Sequence, residues 1–423
     1  MAGLGHVIRS AATFDRQRLE RLADGLAVAL AVSLPWSTSA TGILAVLWLI
    51  AVIPTIDVAA WRRVLPTASG GLPVLLCALG LIGILWANGI PMADRWDGFK
   101  SFLKLLAIPV LIAQYSRSER GAWLMIGFIA SCVVLMAVSW ALVLVPALVS
   151  LWPRGLFGIP VKDYIAQSGE FTVCAFLLGR LALEASWEGR SPRALALALL
   201  GLLFLANILY VFPSRTALVV ILVLLMLFAY RHFAWKGMAG LLLAALLAAV
   251  LAWSVSPMLR WNVDGLINEV QGFNREGAGT RAGERIEFWK RSVQFVAEAP
   301  LAGHGTGSIP QLFRKSAAGQ SGMAGLASSN PHNQTLAVAI QLGLLGTAVL
   351  FAMWIAHLLL FRGDDFLAWA GLVIVAQNLI GSLFNSHLFD FTQGWGYVIG
   401  VGVAAGMVFQ RPAVGPDGPS YRP

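Results

Sequence analysis

The sequence predicts an all-α polytopic integral membrane protein with about twelve transmembrane helices, and three observations predict it. Hydrophobic residues make up 58% of the 423 and charged residues only 12%, where a soluble domain carries about 25% charged. The apolar residues gather into long runs separated by short basic or Gly/Pro-containing breaks, and about 20 residues are enough to cross a bilayer as a helix. Lys and Arg alternate in abundance from one break to the next, as the positive-inside rule requires of a chain that threads back and forth.

In chain order the spans are expected near Leu22 to Ser37, Gly42 to Val58, Leu72 to Ala87, Phe102 to Tyr115, Ala122 to Leu148 and Gly169 to Ser186. They continue at Ala194 to Phe212, Thr216 to Tyr230, Met238 to Val255, Asn333 to Leu360, Phe366 to Leu383 and Phe391 to Phe409. Backbone amides in hydrocarbon must be satisfied within the segment, so packed helices are expected and lipid-facing sheet edges are not. Counting from a cytoplasmic N-terminus, the inside segments hold Arg16, Arg18, Arg21, Arg62, Arg63, Arg117, Arg120, Arg190, Arg193, Arg231, Lys236 and Arg362, among others. The short outside loops hold only Arg95, Lys100, Arg154, Lys162 and Arg215. Both termini are therefore expected in the cytoplasm. The net charge of +9 is read as a topology signal and the partner as the lipid bilayer, with no nucleic acid. The basic start followed by an apolar run is read as an uncleaved first helix. Cys77, Cys132 and Cys174 all fall inside spans and read as small apolar packing residues.

One segment, Ser256 to Pro331, is too long and too charged for a connection, and loops of that length are usually functional. Within it, ERIEFWKRSVQFVAEAPLAGHGTGS predicts a helix with Ile286, Trp289, Val293 and Val296 on one face and Glu287 four residues before Arg291. Pro300 stops that helix, and Gly303, Gly305 and Gly307 predict a flexible turn after it. Cations outnumber acids across the loop, which suits a phosphate or an anionic lipid; a solvated face of an interfacial helix is the alternative.

His332 opens the next span. Ser329 or Asn330 caps that helix in this reading and Pro331 occupies its first turn, where a missing N–H costs nothing. His332 then stands in the first turn, where the positive end of the helix dipole favours a neutral imidazole able to take a proton. A histidine that only caps or anchors is the alternative. Arg215 stands at the tip of the tight turn FPSRTALVV, where its planar fork could hold two phosphate oxygens or merely anchor the turn. Arg281 and Arg285, four apart, suit a diphosphate or an ion pair with Glu284. Lys100 and Lys104 lie near outer span ends, as do Lys162 and Asp163. Asp390 could orient a histidine or cap a helix, and Arg180, inside a span, must snorkel, pair or line a cavity. His304, His357 and His387 read as structural. The chain contains no DxD pair, His/Cys cluster, Walker loop or G-x-S-x-G, so no metal or other cofactor is expected.

Three pieces, SRTALVVILVLL, RIEFWKRSVQFVAEAPLAGHGTGS and HNQTLAVAIQLGLLGTAVLF, in that order across Leu195 to Leu360, resemble the O-antigen ligase and polymerase superfamily of bacterial envelopes. The resemblance implies a glycosyltransferase fold C-like protein of the bacterial inner membrane with a periplasmic active site. On that basis residues 1–255 hold helices one to nine, 256–332 a periplasmic catalytic loop, 333–410 helices ten to twelve, and 411–423 a cytoplasmic tail. The implied reaction is an inverting, metal-independent glycan transfer from undecaprenyl pyrophosphate. His332 matches the expected general base, and Arg215 and Arg285 the catalytic contacts to the leaving pyrophosphate, joined in donor binding by Arg281, Lys100 and Lys104. Asn333 and Asp390 are expected to support them.

The single large outer loop and the short C-terminal QRPAVGPDGPSYRP favour a ligase that delivers the glycan to the lipid A-core oligosaccharide. A polymerase or a protein O-oligosaccharyltransferase of the same superfamily is the alternative. A lipid-linked sugar transporter is the alternative of a different class, but it predicts internal repeats and midplane charges on broken helices; the sequence shows no clear repeat.

Overall fold

The computed structural model describes residues 2–151, 157–211, 213–261, 263–265, 267 and 281–410, and among them all regular structure is helical. The helices are α1 (Ala2–Ser33), α2 (Thr38–Val52), α3 (Val58–Val64), α4 (Ala68–Ile82), α5 (Met92–Leu103), α6 (Ala107–Tyr115), α7 (Gly121–Leu144), α8 (Ala147–Leu151) and α9 (Tyr164–Trp187). They continue as α10 (Ser191–Tyr210), α11 (Arg215–His232), α12 (Trp235–Val255), α13 (Arg281–Glu298), α14 (Ile309–Ala317), α15 (Gln334–Leu360), α16 (Phe366–Gly381) and α17 (Phe391–Phe409). Every expected apolar span falls on one of these helices or on a broken pair. Six helices are long and apolar enough to cross a membrane, or seven if α3 and α4, bent by 87° at their break, are counted as one. The protein is a multi-pass membrane protein. The expected tail, 411–423, lies outside the described residues.

The span expected at Phe102 to Tyr115 is not one continuous helix. α5 ends at Leu103, a 3-10 turn follows at Lys104–Leu106, and α6 starts at Ala107. Pro109 explains the break: it has no N–H for the carbonyl of Leu105, and its ring clashes with that carbonyl in a straight helix.

Helices α9 and α10 pack as an antiparallel hairpin, as do α1 and α2, while α17 packs on α6 and α16, and α15 on α4. A central core joins Trp48, Phe102, Tyr115, Phe361, Trp369 and Tyr397, all fully buried. The loops assigned outside by the charge count meet at one end, where Lys162 Nζ donates to the carbonyl of Leu34 and to Thr392 Oγ1. The loops assigned inside meet at the other. There Arg16 donates to the Thr55 carbonyl and Arg117 pairs with Glu20, while Arg231 binds the carbonyl of Arg362. Arg180, inside α9, is paired: it meets Glu184 at 3.1 Å, the Asp364 carbonyl at 2.8 Å and the face of Trp187 at 4.9 Å.

The glycine turn expected to be flexible is instead packed tightly. Gly303, Gly305 and Gly307 all have positive φ, and a Cβ on any of them would fall within 2.6 Å of backbone atoms of Gln341, Ala87 or the Asp94–Arg95 pair. Only glycine allows both the conformation and the approach. This turn fills a break in α15, where Gly343 has φ 62 and ψ −157. The amides of Leu344 and Leu345 donate to the carbonyls of Pro300 and Leu301, while the carbonyls of Ile340 and Gln341 accept from His304 and Gly305. Thr306 completes the dock, its amide on the Gly83 carbonyl at 3.0 Å and its hydroxyl on the Gly80 carbonyl at 2.6 Å. The backbone groups that a broken helix would leave bare are thus satisfied by the loop.

A second correction concerns the face of α13. Ile286 and Val293 are exposed, and the buried side is Phe288, Arg291, Ser292 and Phe295, packed on Phe313, Ala337 and Ile340. Arg291 earns its place by satisfying itself: it pairs with Glu287, as expected, at 3.4 Å. It also donates to the carbonyls of Ala324 and Leu326 and stacks over Phe288 and Phe313. A guanidinium so partnered, with its stem on aromatic rings, occupies a position that hydrophobic periodicity assigns to an apolar residue.

Candidate functional site

The site forms where the loop before α15 meets the turn between α16 and α17. His332 lies one residue outside the cap of α15, not in its first turn: Asn333 is the N-cap, its Oδ1 accepting from Leu336 N at 3.0 Å, and Gln334 is the first helical residue. His332 has φ 53, the only non-glycine residue with positive φ among those described. That conformation costs about 1–2 kcal/mol for a side chain of this kind. It is held by the His332 amide donating to Asn330 Oδ1 at 2.8 Å, and Asn330 is fixed in turn by Ser386 Oγ at 2.7 Å.

The ring of His332 is oriented by a chain of hydrogen bonds. Asn385 Nδ2 donates to Asp390 Oδ2 at 2.9 Å, which leaves Asn385 Oδ1 as the acceptor 2.9 Å from His332 Nδ1. Nδ1 therefore carries the proton, and Nε2 presents its lone pair. Asp390 stands at the N-cap position of α17 but makes no side-chain capping bond; its carboxylate serves the histidine chain instead. Burial pushes that carboxyl up to about 6, against the pull of nearby Lys104. Burial likewise lowers the His332 pKa, and the charge of Arg285 lowers it further, opposed by the Asn385 hydrogen bond and Glu284. The neutral form expected from the helix dipole is thus favoured chiefly by desolvation.

Arg285 belongs to this cluster, because its charge acts on both His332 and His387. One turn further along α13, Phe288 lies nearly parallel to the His332 ring at 6.3 Å. Arg215 begins α11 after the Ser214 cap, and its guanidinium lies 3.8 Å from where a Cβ on Gly265 would stand. Its neighbours Ser214 and Thr216 line a small pocket with Ser168, Gln377 and His387. The start of α11 therefore reaches the same turn that carries Asn385. The side chain of Arg281 lies outside the described residues.

The two lysines part company. Lys100 is exposed and pairs with Asp97 at 3.1 Å. Lys104 is buried, and its ammonium binds the carbonyls of Phe389 at 2.9 Å and Asp390 at 2.8 Å. It holds the backbone of the 385–390 turn in place. Asn333 also ties the two loops, through Nδ2 to the Leu383 carbonyl at 3.1 Å. Gln334 does the same with Oε1, which accepts from the amides of Leu388 and Phe389. Asn385 and Gln334 were missed in the sequence, and Asn330 was named there only as a possible cap. The polar run NSHLFD, wedged between two apolar helices, is the signal that points to the first of them.

Of the histidines read as structural, His304 bonds the Phe295 carbonyl at 2.8 Å, and His357 is bonded on both ring nitrogens, to Tyr397 and the Ser69 carbonyl. His387 differs, with its Nε2 buried and unpartnered. Among the described residues no group of His, Cys, Asp or Glu is placed to hold a metal ion.

An oriented neutral imidazole beside a guanidinium can accept a proton from a hydroxyl while negative charge is stabilised nearby. Residues 200–351 match a family model described as O-antigen ligase. Arg215, Arg285 and His332 lie inside the matched stretch, and Lys104, Asn385 and Asp390 outside it. A comparison with curated proteins gave no match.

Proposed function

Taking as premise the O-antigen ligase/polymerase superfamily, which the match over residues 200–351 supports, we propose that this protein is an O-antigen ligase. Members of that family are glycosyltransferase-like enzymes. The proposed reaction moves a glycan from undecaprenyl pyrophosphate to a hydroxyl of the lipid A-core oligosaccharide, at the periplasmic face of the inner membrane. His332 Nε2 takes the proton of the acceptor hydroxyl as its oxygen forms a bond to the anomeric carbon. The bond from that carbon to the pyrophosphate oxygen breaks, the configuration inverts, and the charge on the departing pyrophosphate rests on Arg285 and Arg215. Arg281 is placed with them by sequence spacing alone, whereas Lys100 and Lys104, engaged with Asp97 and with backbone carbonyls, contribute at most indirectly.

The observation that carries this reading is the relay from Asp390 through Asn385 to His332 Nδ1, which leaves one nitrogen free as a base beside Arg285. The choice of ligase rests on the single large outer loop of the sequence. Purified protein supplied with a defined undecaprenyl-pyrophosphate glycan and lipid A-core should make the joined glycolipid. Lengthening of the donor glycan without transfer to lipid A-core would make the protein a polymerase instead.

A further inference from the structure

Between α1, α7, α9, α16 and α17 runs a slot that the transfer chemistry does not use. Its walls are apolar, among them Phe128, Val173, Leu177, Ile374, Ile399 and Val403. Its outer end is polar, formed by Glu170, Gln377, Asn378, His387, Thr392 and Gln393. Glu170 is 7% and Asn378 4% exposed, yet both carboxyl oxygens of the first and both amide atoms of the second lack any hydrogen-bond partner among the described residues. His387 Nε2, at the same end, also lacks one.

Buried polar atoms left unpaired are costly, so an occupant that pairs them is favoured. Among the described residues no Lys or Arg lines the slot. An anionic head group would find no cation there and would meet the Glu170 carboxyl. The charges that reach this end are of both signs, Lys162 and Asp163 acting on Glu170 and Arg285 and Asp163 on His387, so a cationic head gains no net field there either. A bare hydrocarbon would fill the walls and leave the polar end unpaired.

We propose that the slot binds a single-chain amphiphile with an uncharged hydrogen-bonding head group, such as a hydroxyl, ester or amide. The head lies at Glu170, Asn378 and His387 and the chain runs along α9 and α17. From Thr392 to Val403 the lining of α17 rises about 16 Å, the reach of an extended alkyl chain of roughly a dozen carbons. Gly396 leaves room for that chain beside Leu34. The slot's lining does not include Arg215, Arg285 or His332, and the proposal does not depend on the transferase reading.

The test is equilibrium binding of tritiated monomyristoylglycerol to the full chain in nanodiscs, with myristate, tetradecylammonium and tetradecane as competitors. Saturable binding displaced by unlabelled monomyristoylglycerol, and at least about tenfold less well by the other three, is expected from the loss of one or two buried hydrogen bonds. Glu170→Leu should weaken binding to a similar degree. Gly396→Leu, whose Cβ meets nothing nearer than Leu34 at 3.7 Å, should weaken it by filling the slot. His332→Ala should leave it unchanged, so that loss of transfer and loss of binding are separable. Equal displacement by tetradecane, tighter binding of myristate or tetradecylammonium, absence of saturable binding, or unaltered binding in both slot variants would each overturn the proposal.

Discussion

His332 and His357 stand at opposite ends of α15 and show two ways of using the same side chain. His357 is fully buried, donating from Nε2 to the Ser69 carbonyl at 3.0 Å and accepting at Nδ1 from the Tyr397 hydroxyl at 2.6 Å. Both nitrogens are spent on joining α15 to α4 and α17. His332 is part-buried, strained in its backbone, and bonded on Nδ1 alone. The contrast teaches that the histidine to watch is the one whose second nitrogen is left without a protein partner by neighbours that fix the first.

The sharpest way to break this contrast is to truncate both. His332→Ala should lower turnover by about 10²–10⁴-fold while the protein stays folded, as expected for loss of a general base. His357→Ala should instead destabilise the fold by about 1–3 kcal/mol, through unpaired groups on Tyr397 and Ser69, with turnover per folded molecule retained. Transfer assays alongside thermal unfolding read both, and an active, unstable His332→Ala would reverse the assignment.

A smaller effect is expected from Asn385→Ala, which leaves His332 in place and removes its orienter. A loss of about 10–100-fold, by analogy with groups that orient a functional histidine from behind, should fall on kcat more than on KM.

The smallest effect concerns pH. In the proposed reaction the neutral His332 is the active form, and burial together with Arg285 holds its pKa below the ordinary 6.5. Activity should therefore persist as pH falls through 6.5 and fail only lower, as the imidazole gains a proton. Arg285→Gln removes a cation that opposes protonation, so the acid limb should move up in pH, besides any loss in donor use. A profile of kcat/KM against pH reads that shift.

Much of the frame was legible in advance because bilayer physics writes long apolar runs into the chain. The twelve runs fall on helices or broken pairs, six or seven of them long and apolar enough to cross a membrane, and the ion pair of Glu287 with Arg291 formed where i,i+4 spacing put it. The failures have a common origin in tertiary packing. Arg291 is buried because carbonyls of a distant segment meet it, which no periodicity reveals. His332 left the helix because the side chains of Asn330 and Asn333 took the turn and the cap, and four polar residues in a row offer several such registers. Asp390 was seen as a possible orienter, but Asn385, the residue through which it acts, became visible only when the turn after α16 was seen to lie beside the loop before α15.

The break in α15 has a consequence for how the chain is put together. Residues 300–305 are synthesised before residues 340–345, so partners for the four backbone groups at the break already exist when the later half arrives. A segment carrying such a break cannot wait alone in hydrocarbon with those groups bare. Biogenesis is thereby ordered: the loop carrying Pro300 to Gly305 is made first, α15 enters against it, and the terminus bearing His332 takes its final shape when the turn before α17 follows.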